Sequence, residues 1–123
     1  MHKYKPGDDV GELEFWPFDT PASDYRIVEG EPKTYGRIDQ GGDGHMTRYG
    51  IWRCTAGTFD CNEQGEELMT VLSGRCSITW LDSGKVCDLG PGDTLFIPGA
   101  SRVRWHVSED LTKVFYGYKP DGF

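Results

Sequence analysis

The chain has 123 residues, enough for one hydrophobic core and too few for two. Hydrophobic residues make up 37% of it, with six Phe, six Tyr and four Trp, which suffices for one barrel or sandwich and excludes disorder throughout. A net charge of −7, its acidic residues spread along the chain, repels nucleic acid and anionic lipid and argues against both as partners.

Residues 1–30 read as an arm. Pro6, Pro17 and Pro21, with few β-branched residues and no sustained period, argue against a helix or a core strand. Phe15, Trp16, Phe18 and Tyr25 are too apolar for a free tail. Two readings stand: the arm packs on the outer face of its own domain, or it crosses to a partner subunit.

From Thr34 the signal is β, and residues 31–123 read as one all-β domain. Runs of Val, Ile, Thr and aromatics between Gly, Pro and Asp predict strands at 34–39, 47–54, 67–72, 75–81, 85–88, 93–97, 102–107 and 111–118. Gly84 closes a hairpin after Leu81, and Gly90-Pro91-Gly92 forms a turn. No segment carries a sustained 3.6-residue apolar period, so helices are minor and the architecture is a sandwich or barrel. The Gly41-Gly42-Asp43-Gly44 run lacks the Lys and helix of a phosphate loop.

Alternation then assigns faces. Glu67, Met69 and Val71 share one face of their strand, with Leu68, Thr70 and Leu72 on the other. Both faces are largely apolar, which predicts a second covering layer, and a homodimer supplies one. Val103, Trp105 and Val107 face inward, with Arg102, Arg104 and His106 outward, so Trp105 becomes a wall of a pocket. Arg53 and Arg104 fall opposite Trp52 and Trp105 and are expected in exterior salt bridges.

No stretch approaches the ~20 apolar residues of a membrane helix. The opening Met1-His2-Lys3-Tyr4-Lys5-Pro6-Gly7 has no apolar run, so the cytoplasm is the expected compartment. Cys54, Cys61, Cys76 and Cys87 show no CxxC spacing and are read as free, small hydrophobes.

Two segments resemble the paired motifs of the cupin superfamily. The first runs from Gly57 through Glu67 to Gly74, ending in a Glu, six residues and a Gly; its opening Gly falls two residues late. The second is Gly92-Asp93-Thr94-Leu95-Phe96-Ile97-Pro98, a Gly, five residues and a Pro. With the flanks Gly50–Phe59 and Ile97–Trp105, residues 48–118 look like the subfamily that includes the (S)-ureidoglycine aminohydrolase cupin domain. The resemblance implies a single cupin barrel (a double-stranded β-helix, or jelly roll) carrying the N-terminal arm. It also implies a pocket for a small polar metabolite of the ureido or amide kind, though one barrel hosts many chemistries.

Metal-binding cupins place two His and a Glu in the first motif and a His in the second. The corresponding positions here are Cys61, Glu63, Glu67 and Val103. Cys61, Glu63 and Glu67 together offer sulfur and oxygen to a divalent metal, but with no imidazole and a Val in the fourth place no cofactor is expected. Glu67 is the candidate catalytic residue: beside Met69, Val71, Val103 and Trp105, desolvation should raise its pKa and suit it to proton transfer. A purely structural carboxylate is the competing reading. Cys61, Glu63, Met69, Val103 and Trp105 are expected to line the pocket, with Glu63 at its mouth as a solvated acid. Enzyme, non-catalytic ligand-binding or sensing protein, and assembly protein all remain open.

Overall fold

A computed structural model of the chain describes residues 2–18 and 24–123. Nine antiparallel strands and no helix occur among them: β1 (Glu14–Phe15), β2 (Arg26–Glu29), β3 (Thr34–Gly41), β4 (Thr47–Cys54), β5 (Gly57–Asn62), β6 (Glu66–Trp80), β7 (Val86–Leu89), β8 (Thr94–Ile97) and β9 (Arg102–Tyr118). This is the all-β cupin barrel that the motif pair implies.

Two long strands organise it. β9 pairs along its whole length with β6, while its other edge takes β5 against residues 102–107 and β4 against residues 111–118. β6 in turn carries β8 on its first half and β7 on its second. The sequence divides each long strand in two, at Ser73-Gly74 and at Ser108-Glu109-Asp110. They are irregularities within continuous strands, where the β6–β9 register shifts between Val71 and Cys76. Buried positions in β6 change there from Glu67, Met69 and Val71 to Cys76 and Ile78, the parity flip that an inserted residue produces. The bend lets one pair of strands serve both ends of the barrel.

Gly74 makes the bend possible. Its φ is +82°, and a Cβ there would lie 2.0 Å from the carbonyl oxygen of Asp110, so the motif's terminal glycine is required by both conformation and proximity.

The strand β5 was not expected. Gly57-Thr58-Phe59-Asp60-Cys61-Asn62 falls between the predicted strands, yet it pairs with β9, with Phe59 opposite Trp105 and Cys61 opposite Val103. The described arm also contributes strands. β1 pairs with β3 and β2 with β5, both exposed on the sheet's edges. Pro21 lies outside the described residues. Trp16 lies across Gly36, where a Cβ would fall 2.1 Å from its ring. Farther back, Val10 joins Ile51 and Leu72 in a small outer core, with Tyr4, Leu13 and Val114 around it. The arm thus covers Leu72 in the middle of β6 and leaves Leu68 exposed.

The main core fills the barrel. Phe59, Val71, Ile78, Ile97, Val103 and Leu111 are completely buried, and Trp105 nearly so. No helix among the described residues is long and apolar enough to cross a membrane.

Candidate functional site

Inward alternation on β4, β6 and β9 delivers three charged side chains to the barrel's interior. On β9, Leu111, Lys113 and Phe115 are buried on the same face. On β4, the same periodicity puts Arg48 in register with Trp52 and Cys54. Cross-strand pairing aligns Trp52 with Lys113 and Lys113 with Val71; the next rows align Gly50, Phe115 and Met69, then Arg48, Gly117 and Glu67.

These rows form one wall of a cavity of about 210 Å³. Its charged lining is Arg48, Glu63, Glu67 and Lys113, and its aromatic lining Trp52, Phe59, Trp105 and Phe115. Trp16, Pro17 and Tyr25 of the arm, with Thr34, close it on the outer side. Thr34 Oγ1 donates a hydrogen bond to the Trp16 carbonyl, and the Trp16 amide donates to the Thr34 carbonyl, which fixes this part of the arm on β3.

Lys113 and Glu67 form the centre. Lys113 Nζ donates to Glu67 Oε2 at 2.5 Å, with the two side chains only 5% and 11% exposed, so neither ion is left to face low dielectric alone. The ammonium also lies 4.6 Å from the ring centre of Trp52 and 4.5 Å from that of Trp105, a cation–π arrangement. Trp105 in turn stacks on Phe59, centroids 6.1 Å apart and planes 6° from parallel. Lys113 was not foreseen from the sequence, yet a signal was available. In Leu111-Thr112-Lys113-Val114-Phe115, alternation places the lysine inward with Leu111 and Phe115.

Glu63 is the carboxyl that stands apart. Burial pushes it up, the nearby Glu67 carboxylate pushes it further, and Lys113, the Cys61 thiol and the Trp105 indole only partly offset them, leaving it at about 7. The expectation that Glu63 is a solvated acid at the mouth is therefore corrected: it is a cavity residue, half-buried, within 3.6 Å of Cys61 Sγ. Cys61 itself is buried, and burial together with Glu63 raises its pKa strongly, the opposite of what an activated thiolate needs. All four cysteines are free thiols.

Of the residues singled out earlier, Glu63, Glu67 and Trp105 line the cavity together. Met69 and Val103 sit behind it in the closed core, and Cys61 borders a separate outer hollow with Asp60 and Arg102. Tyr25 reaches the site from the arm. Although 43% of the residue is exposed, its phenol end is deep enough that burial, with the Cys61, Glu63 and Glu67 groups, raises its pKa well above 10. Arg104 makes the expected exterior ion pair, to Asp60 at 2.7 Å. Arg53 instead donates to Thr112 Oγ1, because Thr112 is its cross-strand partner.

The residues present do not fit a cupin metal. Among the described residues no three His, Cys, Asp or Glu side chains gather as ligands. Glu67, the carboxylate of the motif, is occupied by an ammonium, and Val103 offers no donor.

Residues 41–115 match the family model described as the EutQ-like cupin domain. Among solved structures, the chain resembles the EutQ protein of Clostridium difficile at 19% identity and TM-score 0.63, covering 74% of this chain and 71% of that one. A DUF861 family protein from Thermotoga maritima is 31% identical with TM-score 0.51, over 53% of this chain and 73% of that one. A DUF861 protein of unknown function from Pseudomonas syringae superposes with TM-score 0.71 at 18% identity, over 89% of this chain but 46% of its own length. No curated protein matches the chain.

Proposed function

The chain belongs to the EutQ-like cupin domain family, and on that premise we propose that its barrel binds a small polar metabolite and hydrolyses a ureido or amide bond in it. The observation that carries this reading is Glu63, a carboxyl at about 7 placed beside the Glu67–Lys113 ion pair in an aromatic cavity. Groups poised near neutral pH, in a cleft and with a specific charged neighbour, mark sites of proton transfer. Glu63 takes a proton from water as the water oxygen attacks the carbonyl carbon. It returns that proton to the leaving nitrogen, which departs as ammonia. Glu67, the candidate from the first motif, is held by Lys113, so its part is to keep the ammonium in place while Lys113 stabilises negative charge on the carbonyl oxygen.

A second reading has its own support. Lys113 occupies the carboxylate that metal-dependent cupins commit to a cation, which suits a ligand-binding or sensing protein without turnover. One experiment separates the two. The purified protein is incubated with a panel of small ureido and primary amide compounds, reading tryptophan fluorescence for binding and ammonia for turnover. Saturable quenching with ammonia release, the latter lost in Glu63→Gln, supports the hydrolase. Quenching without ammonia supports the binding protein, and no quenching by any compound removes both.

The functional unit we propose is a cytoplasmic homodimer. Four free thiols suit a reducing compartment. Leu68, Phe96 and Tyr116 are neighbours across β8, β6 and β9, each about half exposed, and together form an apolar row on the outer face. Sedimentation at micromolar concentration should give a dimer that Leu68→Glu dissociates; a monomeric wild-type chain removes the dimer.

A further inference from the structure

The barrel cavity has a neighbour. Beside its 210 Å³ lies an outer hollow of about 610 Å³, whose lining includes Glu14, Trp16, Asp43, Arg48 and Phe123. Trp16 and Arg48 line both spaces, so they are the wall between them. The two halves of that wall are held differently. Trp16 is pinned, because its backbone exchanges hydrogen bonds with Thr34 and its ring lies against Gly36. Arg48 has no such anchor. Its Nε is buried without a hydrogen-bond partner, and among the described residues it enters no ion pair. Its guanidinium rests on aromatic faces, 4.1 Å from the ring centre of Phe123 and 5.7 Å from that of Phe115. By contrast Arg37 donates to the Asp39 carboxylate, the Tyr4 hydroxyl and the carbonyls of Val10 and Glu12.

The surroundings of Arg48 leave it two positions. Gly117 is its cross-strand partner, and a Cβ there would fall 3.4 Å from the Arg48 side chain and 3.2 Å from the Phe123 ring. Glycine thus leaves the slot in which Arg48 and Phe123 meet. Phe123 is held over that slot by the 42–46 turn: its N–H donates to the His45 carbonyl, and the Gly44 N–H donates to its own carbonyl. On the outer side Glu14 and Asp43 are exposed, and among the described residues neither enters an ion pair. Inward, Arg48 keeps its aromatic contacts and carries the cost of an unmet buried donor. Outward, it gives up the rings and gains a carboxylate. Terms that oppose one another in this way make a two-state side chain.

We propose that Arg48 and Phe123 form a gate to the barrel cavity, shut while Arg48 lies between the two phenylalanine rings and open when it turns outward to Glu14 and Asp43. Trp16 is the fixed post against which it closes. The gate governs passage between the outer hollow and the cavity, so it stands whichever molecule the cavity takes, with or without turnover.

The test needs no ligand. Solvent exchange of the Trp105 indole N–H, which faces Glu63 in the cavity, is measured by NMR on the whole chain, the signal being assigned by its loss in Trp105→Phe. Its rate is divided by that of the Val71 amide. Val71 is completely buried and its N–H donates to the Asp93 carbonyl, so it reports opening of the barrel itself, and the ratio cancels a change in overall stability. Phe123→Ala removes a ring that holds Arg48 inward and should raise the ratio about tenfold. Gly117→Ala crowds the closed slot and should raise it as well. Glu14→Gln combined with Asp43→Asn strips the outward position of its carboxylates and should lower it. An indole that exchanges in step with Val71 in every protein shows that the cavity opens only when the barrel does, and the gate falls. A ratio raised by Thr34→Val and not by Phe123→Ala moves the entrance to the arm and overturns the gate equally. A wild-type ratio in the carboxylate variant overturns the outward position of Arg48.

Discussion

Glu63 should make the protein lose stability as pH rises through neutrality. Its carboxyl moves from an ordinary 4.5 to about 7 on folding, surrounded by Glu67, Lys113, Cys61, Tyr25, Arg48 and the Trp105 indole. The folded chain therefore holds a proton that the unfolded chain has released between those two values. With more protons bound in the folded state, the free energy of unfolding falls as pH increases. The stabilisation is complete below about 4.5 and is lost as pH climbs through about 7. Between pH 5 and 8 the loss integrates to about 2 kcal/mol. Since urea m-values for small domains are ~1–3 kcal/mol per molar, the urea midpoint should drop by about 1 M. Other groups also shape the pH profile of the whole chain, so the informative quantity is the difference between wild type and Glu63→Gln. Glu63→Gln should unfold with a flatter profile and exceed wild-type stability at pH 8. Parallel pH profiles for the two proteins would show that Glu63 is solvated and ionised like any surface acid, and the proton-transfer proposal would lose its basis.

Lys113→Met leaves Glu67 charged in the barrel without its counter-ion and should cost about 3–5 kcal/mol, visible as a lowered urea midpoint. The double variant Glu67→Gln, Lys113→Met should recover most of that loss, and a double-mutant cycle that is merely additive argues against the pair. Gly74→Ala should cost about 2–4 kcal/mol, from positive φ and overlap with the Asp110 carbonyl; a neutral result by thermal unfolding means the strand crossing is looser than described. Elemental analysis of the purified protein should find well under one equivalent of transition metal, and a chelator should leave thermal unfolding unchanged. A stoichiometric metal that disappears in Glu67→Ala reverses the judgement on the ligand set.

The fold was legible in the sequence because its punctuation is local. Gly92 to Pro98 and Glu67 to Gly74 fix turns and a close strand crossing whose geometry depends on few neighbours. Inward and outward faces around Trp105 followed from alternation, and Val103, Val107, Arg102, Arg104 and His106 all fall accordingly. What was not legible depends on strands distant in sequence. Lys113 meets Glu67 through the β6–β9 register, which no local pattern specifies. Without that register Glu67 looked like the isolated carboxyl and Glu63 a surface acid, whereas ion pairing settles Glu67 and leaves Glu63 to be perturbed. The long strands were broken at 73–74 and 108–110 because composition cannot distinguish a bulge inside a strand from a break between two.

The dependence of the barrel on β9 has a consequence for how the chain acquires its structure. β4, β5 and β6 all await this one late segment: Trp52 finds Lys113, Phe59 finds Trp105 and Met69 finds Phe115 only across it. Each of those meetings closes a long loop, so its entropy is lost before any contact is gained. During synthesis, the nascent chain up to Pro98 holds the partners for the β3–β4, β6–β7 and β6–β8 pairs, but the edges of β4, β5 and β6 that β9 joins stay unsatisfied. Residues 102–118 then supply the pairing that completes both ends of the barrel. Unpaired edges and exposed apolar surface of that kind favour aggregation.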